Sequence, residues 1–271
     1  MRRTGTARSL VEHLDRVRVL LRLPPFGLFV DLDGTMSPIV DDPMAARPTE
    51  AAVRSLAVIR RKGGFVAVVS GRAATVARAM VGLRGITYVG SHGLETYEGG
   101  RLHRARGLNS ARGKVAQLID RLTPLLVPLG VTIENKDVSV AFHLRRAREP
   151  GAARAALEHA LSQAPEARDL ARMPGRQVVE LRARGRGNKG TAVRRLAMQH
   201  RLRSLIYIGD DQTDIFAFEA VRVMTREQQL TGLSAAVFDS ETAPEVAAAA
   251  DFVLEGVPAV ERFLAWLAGE L

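Results

Sequence analysis

The sequence predicts an α/β protein: a parallel sheet flanked by helices, interrupted by an inserted α+β module with its own antiparallel sheet. Three observations carry this expectation. Short apolar runs end in polar, glycine-bearing turns: Gly27-Leu28-Phe29-Val30 before Asp31, Phe65-Val66-Ala67-Val68-Val69 before Ser70, and Leu205-Ile206-Tyr207-Ile208-Gly209 before Asp210. Segments with helical apolar spacing lie between strands, and strands that alternate with helices pair in parallel. In the middle of the chain the order becomes helix-strand-strand, twice over, as in a small α+β module.

Taken in order, Ser9–Leu23 reads as an amphipathic helix with Leu10, Leu14, Val17 and Leu21 on one face. A strand follows at Phe26–Asp31, a helix at Thr49–Lys62 ended by Gly63-Gly64, a strand at Phe65–Ser70, a helix near Ala73–Val81 and a strand at Ile86–Gly90. Tyr97-Glu98-Gly99-Gly100 reads as a turn. The module then holds a helix near Ala111–Leu129, strands at Val131–Asn135 and Ser139–Arg145, a helix at Gly151–Ser162, and strands near Asp169–Met173 and Val178–Ala183. From Arg184-Gly185-Arg186-Gly187 the strand-helix alternation resumes and runs to Trp266. The expected organisation is an N-terminal helix in 1–24, a core in 25–102 and 185–271, and an inserted cap in 103–184.

Composition narrows the function classes. A chain of 271 residues with 46% hydrophobic residues can bury a large core, and 5% aromatic content disfavours stacked-base recognition. The chain has no cysteine, which excludes disulfides, thiol catalysis and cysteine-ligated zinc, and suits a reducing, cytoplasmic setting. No apolar run reaches membrane-spanning length, and Glu12, Asp15, Arg16 and Arg18 interrupt what would be the apolar part of a leader after Met1-Arg2-Arg3. The formal charge of +10 permits non-specific attraction of nucleic acid, but the arginines are dispersed and no nucleic-acid-binding motif accompanies them. Attraction of a small anionic substrate is the simpler use of that field.

Four stretches carry chemistry. In Asp31-Leu32-Asp33-Gly34-Thr35 two carboxylates alternate at a strand end, which suits a nucleophile beside a second carboxyl that handles protons. Ser70-Gly71-Arg72 places a hydroxyl, a flexible backbone and a guanidinium where a phosphate oxygen can be held. Gly187-Asn188-Lys189-Gly190 opens the helical segment Thr191–His200 with an ammonium, from one of only four lysines in the chain. Asp210-Asp211-Gln212-Thr213-Asp214 clusters the hard oxygen donors that Mg²⁺ requires. Each has an ordinary alternative: an acidic loop capping a helix, a strand-to-helix turn, a solvated lysine, or a loop with Thr213 as an N-cap. The alternatives do not account for the order, in which every motif falls at a strand end or a helix start.

These four stretches resemble the motifs of the haloacid dehalogenase-like hydrolase superfamily, in its phosphatase branch. The surroundings are similar to trehalose-6-phosphate phosphatases: Phe29 through Val40 with Pro43 and Ala46, Ser91-His92-Gly93-Leu94-Glu95, Glu134-Asn135-Lys136 followed by His143 and Arg145, and Glu180-Leu181-Arg182. The resemblance covers nearly everything after Pro25. The chain departs from the family at Leu32, where tyrosine is frequent, at Ile215, where glutamate is usual, and at Ala183, where proline is common. None of these departures removes a catalytic group.

The resemblance implies a Mg²⁺-dependent phosphatase with a Rossmann-like core and a specificity cap, acting on trehalose 6-phosphate through an aspartyl-phosphate. Asp31 is the implied nucleophile and Asp33 the acid and base, with Ser70 and Lys189 holding phosphoryl oxygens. Asp31, the Asp33 backbone carbonyl and Asp210 are the implied metal ligands, with Asp214 or Asp211 helping through water. Sugar contacts fall to Glu134, Lys136, Arg176 and Glu180, with Arg72 and His92 on the core side. Two other readings remain: a phosphatase of the same architecture for sucrose phosphate or mannosyl-phosphoglycerate, and a catalytically silent regulatory or binding module.

Overall fold

The computed structural model describes residues 8–40, 45–105, 108–136, 138–175, 177–183, 187–239 and 242–271. A 3₁₀ turn (Leu10–Glu12) and α1 (Leu14–Leu21) lead into β1 (Phe26–Asp31), α2 (Glu50–Arg61), β2 (Phe65–Val69), α3 (Ala74–Val81), β3 (Thr87–Gly90), β4 (Glu95–Glu98) and β5 (Arg101–Arg104). Next come α4 (Leu108–Leu126), β6 (Thr132–Asn135), β7 (Ser139–His143), α5 (Pro150–Gln163), β8 (Leu170–Gly175) and β9 (Val178–Ala183). The chain closes with α6 (Lys189–Gln199), β10 (Ser204–Gly209), α7 (Ile215–Arg226), β11 (Thr231–Phe238), α8 (Pro244–Ala249), β12 (Phe252–Glu255) and α9 (Gly256–Glu270). It divides into two compact units, one of residues 1–70, 74–103 and 187–271, the other of residues 71–73 and 104–186.

The first unit is built on an eight-stranded sheet of order β12-β11-β10-β1-β2-β3-β4-β5, in which β12 through β3 run parallel. All six residues of β1 and all six of β10 are buried, as their continuous apolar runs require of strands covered on both faces. Strand alternation splits the apolar side chains into two cores. Leu28, Val30, Val66, Val68, Ile206 and Ile208 pack with α1, α2, α3 and α9, whereas Phe29, Ala67, Val69, Leu205 and Tyr207 pack with α6, α7 and α8. The sheet grows from β1 through β2 to β3 on one side and from β10 through β11 to β12 on the other. Its switch point therefore lies between β1 and β10, and crevices that hold ligands open there at the carboxyl ends of strands.

Two features differ from the sequence expectation. The segment around the Tyr97 turn is a pair of short strands: β4 runs antiparallel to β3, with Gly90 opposite Glu95 and Tyr88 opposite Tyr97, and β5 follows it at the sheet edge. A four-residue strand with glutamate at each end gives little apolar alternation. Glu95 is nevertheless buried because its carboxylate accepts from Ala74 N at 3.1 Å and caps the start of α3. The N-terminal helix spans Leu14–Leu21, since Ser9 forms a bridge with Val253 ahead of the 3₁₀ turn. Leu10 and Val17 are buried as expected, Leu14 and Leu21 pack half-buried against the same core, and Leu20 adds a further buried residue. The helix packs on its own chain: Ser204 Oγ donates to Leu20 O at 2.8 Å, and Arg18 forms a two-pronged pair with Glu270 at 2.9 Å.

The second unit has a four-stranded sheet of order β6-β7-β9-β8, antiparallel throughout. Val140, Phe142, Val179 and Leu181 face Val115, Leu118 and Leu122 of α4 and Leu157 and Leu161 of α5, which form its single core. Among the described residues, no helix is long and apolar enough to cross a membrane.

Candidate active site

The first site grows out of three neighbouring strand ends. Asp31 is the last residue of β1, opposite Val69 of β2, so Ser70 follows beside it, and Asp210 follows the end of β10. The chain after Asp31 turns tightly: Gly34 N donates to Ser37 O, and Met36 N and Ser37 N both donate to Leu32 O. Gly34 has φ of 78°, and a β-carbon there would stand 2.0 Å from Asp210 Oδ2. A side chain at that position is excluded by conformation and by space. Thr35, fully buried, donates to Asp210 Oδ1 at 2.9 Å.

Lys189 reaches this cluster from the start of α6. Asn188 caps the helix by a reciprocal pair of bonds with Thr191, so the helix begins at Lys189, two residues earlier than the expected Thr191. Lys189 Nζ donates to Asp31 Oδ1 at 2.9 Å and to Asp214 Oδ1 at 2.8 Å, with 2% of the lysine exposed. Asp214 Oδ1 also accepts from the Tyr207 hydroxyl, and its Oδ2 accepts from Asp211 N at 3.0 Å. A β-carbon on Gly209 would lie 2.3 Å from Asp214 Cγ, so that loop closes only with glycine. The Asp211 carboxylate instead caps its own turn, accepting from Gln212 N at 2.6 Å.

Carboxylate oxygens of Asp31, Asp210 and Asp214 all lie within 4.8 Å of one another. Two buried carboxylates and a half-buried third facing one ammonium leave an excess of negative charge in a low-dielectric site. Burial, with repulsion from Asp214 and Asp210, drives the Asp31 carboxyl well above its ordinary range against the pull of Lys189. Asp210 is pushed up to about 7, chiefly by burial and then by Asp214. Burial alone would depress Lys189, but Asp214 and Asp31 hold it above its ordinary value. Burial and the neighbouring Asp214 likewise raise Tyr207. An all-oxygen, anionic donor set of this kind fits a hard divalent cation, which would supply the missing charge.

The remaining residues expected in this unit are placed as follows. Asp33 is half-buried and bridges to Ser37. Ser70 is fully buried; its N–H donates to Val89 O and its carbonyl accepts from His92 N at 3.2 Å. His92 adopts φ of 56° within the turn Ser91–Gly93. Arg72, expected on the core side, groups with the second unit in the segment 71–73.

In the second unit, Glu134 of β6 and Glu180 of β9 both sit opposite Ala141 of β7. The two carboxylates thus share one row on the sheet face away from the core. Lys136 Nζ lies 3.7 Å from Glu134 and 3.4 Å from Glu180. His143, two residues along β7 on the same face, bonds Glu134 Oε2 through Nε2 at 2.9 Å. Burial would raise Glu134, but His143 and Lys136 bring its carboxyl below the usual range. Arg176 and Pro43 lie outside the described residues, as do Arg184, Gly185 and Arg186 at the expected boundary.

Sequence reasoning gave no role to Thr35, Tyr207 or His143. Thr35 and His143 were within reach, one inside the aspartate motif and the other two residues from the strand position facing Glu134. Tyr207 gave no signal, because a tyrosine inside a buried strand reads as core.

A family model described as Trehalose-phosphatase matches residues 29–258. The Trehalose-phosphate phosphatase of Mycobacterium marinum (strain ATCC BAA-535 / M) is 38% identical over 263 residues, covering 93% of this chain and 63% of that protein. The chain thus spans less than two thirds of that relative. Among solved structures, the C. albicans trehalose-6-phosphate phosphatase C-terminal domain superposes with a TM-score of 0.76 at 22% identity, over 98% of this chain and 99% of that one. The C-terminal domain of the Candida albicans trehalose synthase regulatory protein gives 0.72 at 12% identity, over 97% and 100%. At these identities the structures share this fold. From the extent of the family match and the identity to the mycobacterial relative, this chain belongs to the trehalose-phosphatase family.

Proposed function

We propose that this chain is a Mg²⁺-dependent phosphatase that hydrolyses trehalose 6-phosphate to trehalose and phosphate in the cytoplasm. The observation that carries the proposal is the group of Asp31, Asp210 and Asp214 around the buried Lys189, at the ends of strands on either side of the sheet's switch point. In this mechanism an Asp31 carboxylate oxygen attacks phosphorus in line, forming an aspartyl-phosphate as the bond from phosphorus to the sugar oxygen breaks. Asp33 gives its proton to the departing sugar oxygen. It then takes a proton from the water that attacks the phosphorus of the aspartyl-phosphate, releasing phosphate and restoring Asp31. Ser70 and Lys189 hold the non-bridging oxygens, the main source of rate enhancement in phosphoryl transfer.

Asp31, Asp210 and the Asp33 backbone carbonyl would hold Mg²⁺, which supplies positive charge to the phosphoryl oxygens when bound. Asp214 fixes Lys189 through Oδ1 and lies close enough to the other two carboxylates to help hold the ion through water. Recognition of the two glucose rings is assigned to the second unit as a specificity cap, through Glu134, Lys136, Glu180 and Arg176, with Arg72 and His92 contributing. Charged donors and acceptors on one sheet face are efficient partners for sugar hydroxyls.

The regulatory protein with the same fold is a reason to weigh a catalytically silent module. The intact set of Asp31, Asp33, Ser70, Lys189 and Asp210 favours the enzyme. The test is phosphate release with Mg²⁺ from trehalose 6-phosphate, sucrose 6-phosphate and mannosyl-3-phosphoglycerate. Preference for the first supports the proposal, preference for another moves the substrate, and release from none overturns the enzyme.

A further inference from the structure

At the opposite end of the first unit's sheet from Asp31 lies another concavity. It has a volume of about 380 Å³ and is lined by Ala57, Val58, Leu83 and Ile86, with Arg54, Arg60, Arg61 and Arg84 around them. Arg54, Ala57, Val58 and Arg61 recur at helical spacing and so share one face of α2. The other wall is the loop before β3, on the side where β2 and β3 begin. Ser70 follows the far end of β2 and Asp31 ends the neighbouring β1, on the order of 15 Å away. The loop is pinned from both sides: Tyr88 OH donates to Leu83 O at 2.8 Å, and Arg60 Nε donates to Gly85 O at 2.6 Å.

The charge around this concavity is not balanced from within. Arg54 pairs with Glu50 at 2.9 Å, but among the described residues no carboxylate is paired with Arg60, Arg61 or Arg84. Guanidiniums gathered around a half-buried apolar floor repel one another, and an anion with an apolar body relieves the repulsion and covers what the floor leaves open to water. The concavity has small-molecule dimensions. We propose that it is a second ligand site, separate from the phosphatase centre, for an organic phosphate of the nucleoside-phosphate class. The planar base covers Val58, Leu83 and Ile86, and the phosphates engage Arg61, Arg84 and the free edge of Arg60.

The test is calorimetric titration of the whole chain with ADP, in chelator so that the carboxylate site holds no metal, at about 0.15 M salt. Saturable one-to-one binding is expected. It should weaken by at least about tenfold in R61E/R84E and in the milder R61Q/R84Q, with folding checked by circular dichroism, and persist in D31N. Adenosine and pyrophosphate should each bind at least about tenfold more weakly than ADP, since each fills half the site. Absence of saturable ADP binding, or binding unchanged in both arginine variants, overturns the proposal. Pyrophosphate or adenosine binding as tightly as ADP overturns the nucleoside-phosphate assignment.

Discussion

Lys189 Nζ lies 2.9 Å from Asp31 Oδ1, although 158 residues separate the two in sequence. The ammonium is the only positive charge hydrogen-bonded to this carboxylate group among the described residues, and it also holds Asp214. Lys189→Met therefore leaves buried carboxylates facing one another. It should lower unfolding free energy in chelator by roughly 3–5 kcal/mol, as for other broken buried pairs, and reduce kcat by at least about a hundredfold. Denaturant melts and steady-state kinetics check both. Unchanged stability would mean that the lysine does not neutralise the cluster.

Tyr207 acts at one remove. Its hydroxyl donates to the same Asp214 oxygen that receives Lys189. Tyr207→Phe should leave the fold intact, cost about 1–2 kcal/mol, and lower kcat several-fold with KM little changed. Kinetics with both trehalose 6-phosphate and p-nitrophenyl phosphate should show the same fractional loss, because the group serves the reacting centre and not the sugar.

The proposed metal dependence rests on the excess negative charge. Activity should vanish in chelator and return with Mg²⁺. Asp210→Asn should raise the Mg²⁺ concentration for half-maximal activity by at least about tenfold. Full activity after exhaustive metal removal would contradict the assignment of this cluster.

The second unit's row of charges should read the sugar. Glu134→Ala, Lys136→Ala or Glu180→Ala should cut kcat/KM for trehalose 6-phosphate by about a hundredfold and spare p-nitrophenyl phosphate, which offers no glucose hydroxyls. His143 orients Glu134 at 2.9 Å, so His143→Ala should raise KM for the sugar phosphate, and His143→Gln, which retains a donor, should recover part of it. Equal losses on both substrates would assign these residues to folding instead.

The legible parts of this molecule are those where local sequence alone decides position. The apolar runs before Asp31, Ser70 and Asp210 had to become buried parallel strands, and their polar ends had to meet where those strands pair side by side. Less legible was whatever depends on a partner distant in sequence. Glu95 is buried because the start of α3 needs an acceptor, 21 residues away. The helix starts at Leu14 and not at Ser9, which bridges to Val253, a residue 244 positions away. Asp214 reads as a metal partner by motif, but its hydrogen bonds with Lys189, Tyr207 and the Asp211 amide were not legible, because only the fold brings those groups together.

Phosphate release from trehalose 6-phosphate with Mg²⁺, by the wild-type chain and by Asp31→Asn, tests the central claim most directly. The account predicts turnover by the wild type and a loss of at least about ten-thousandfold in a variant whose circular dichroism is unchanged, since an amide cannot replace the attacking carboxylate. Substantial turnover by a well-folded Asp31→Asn protein would contradict it.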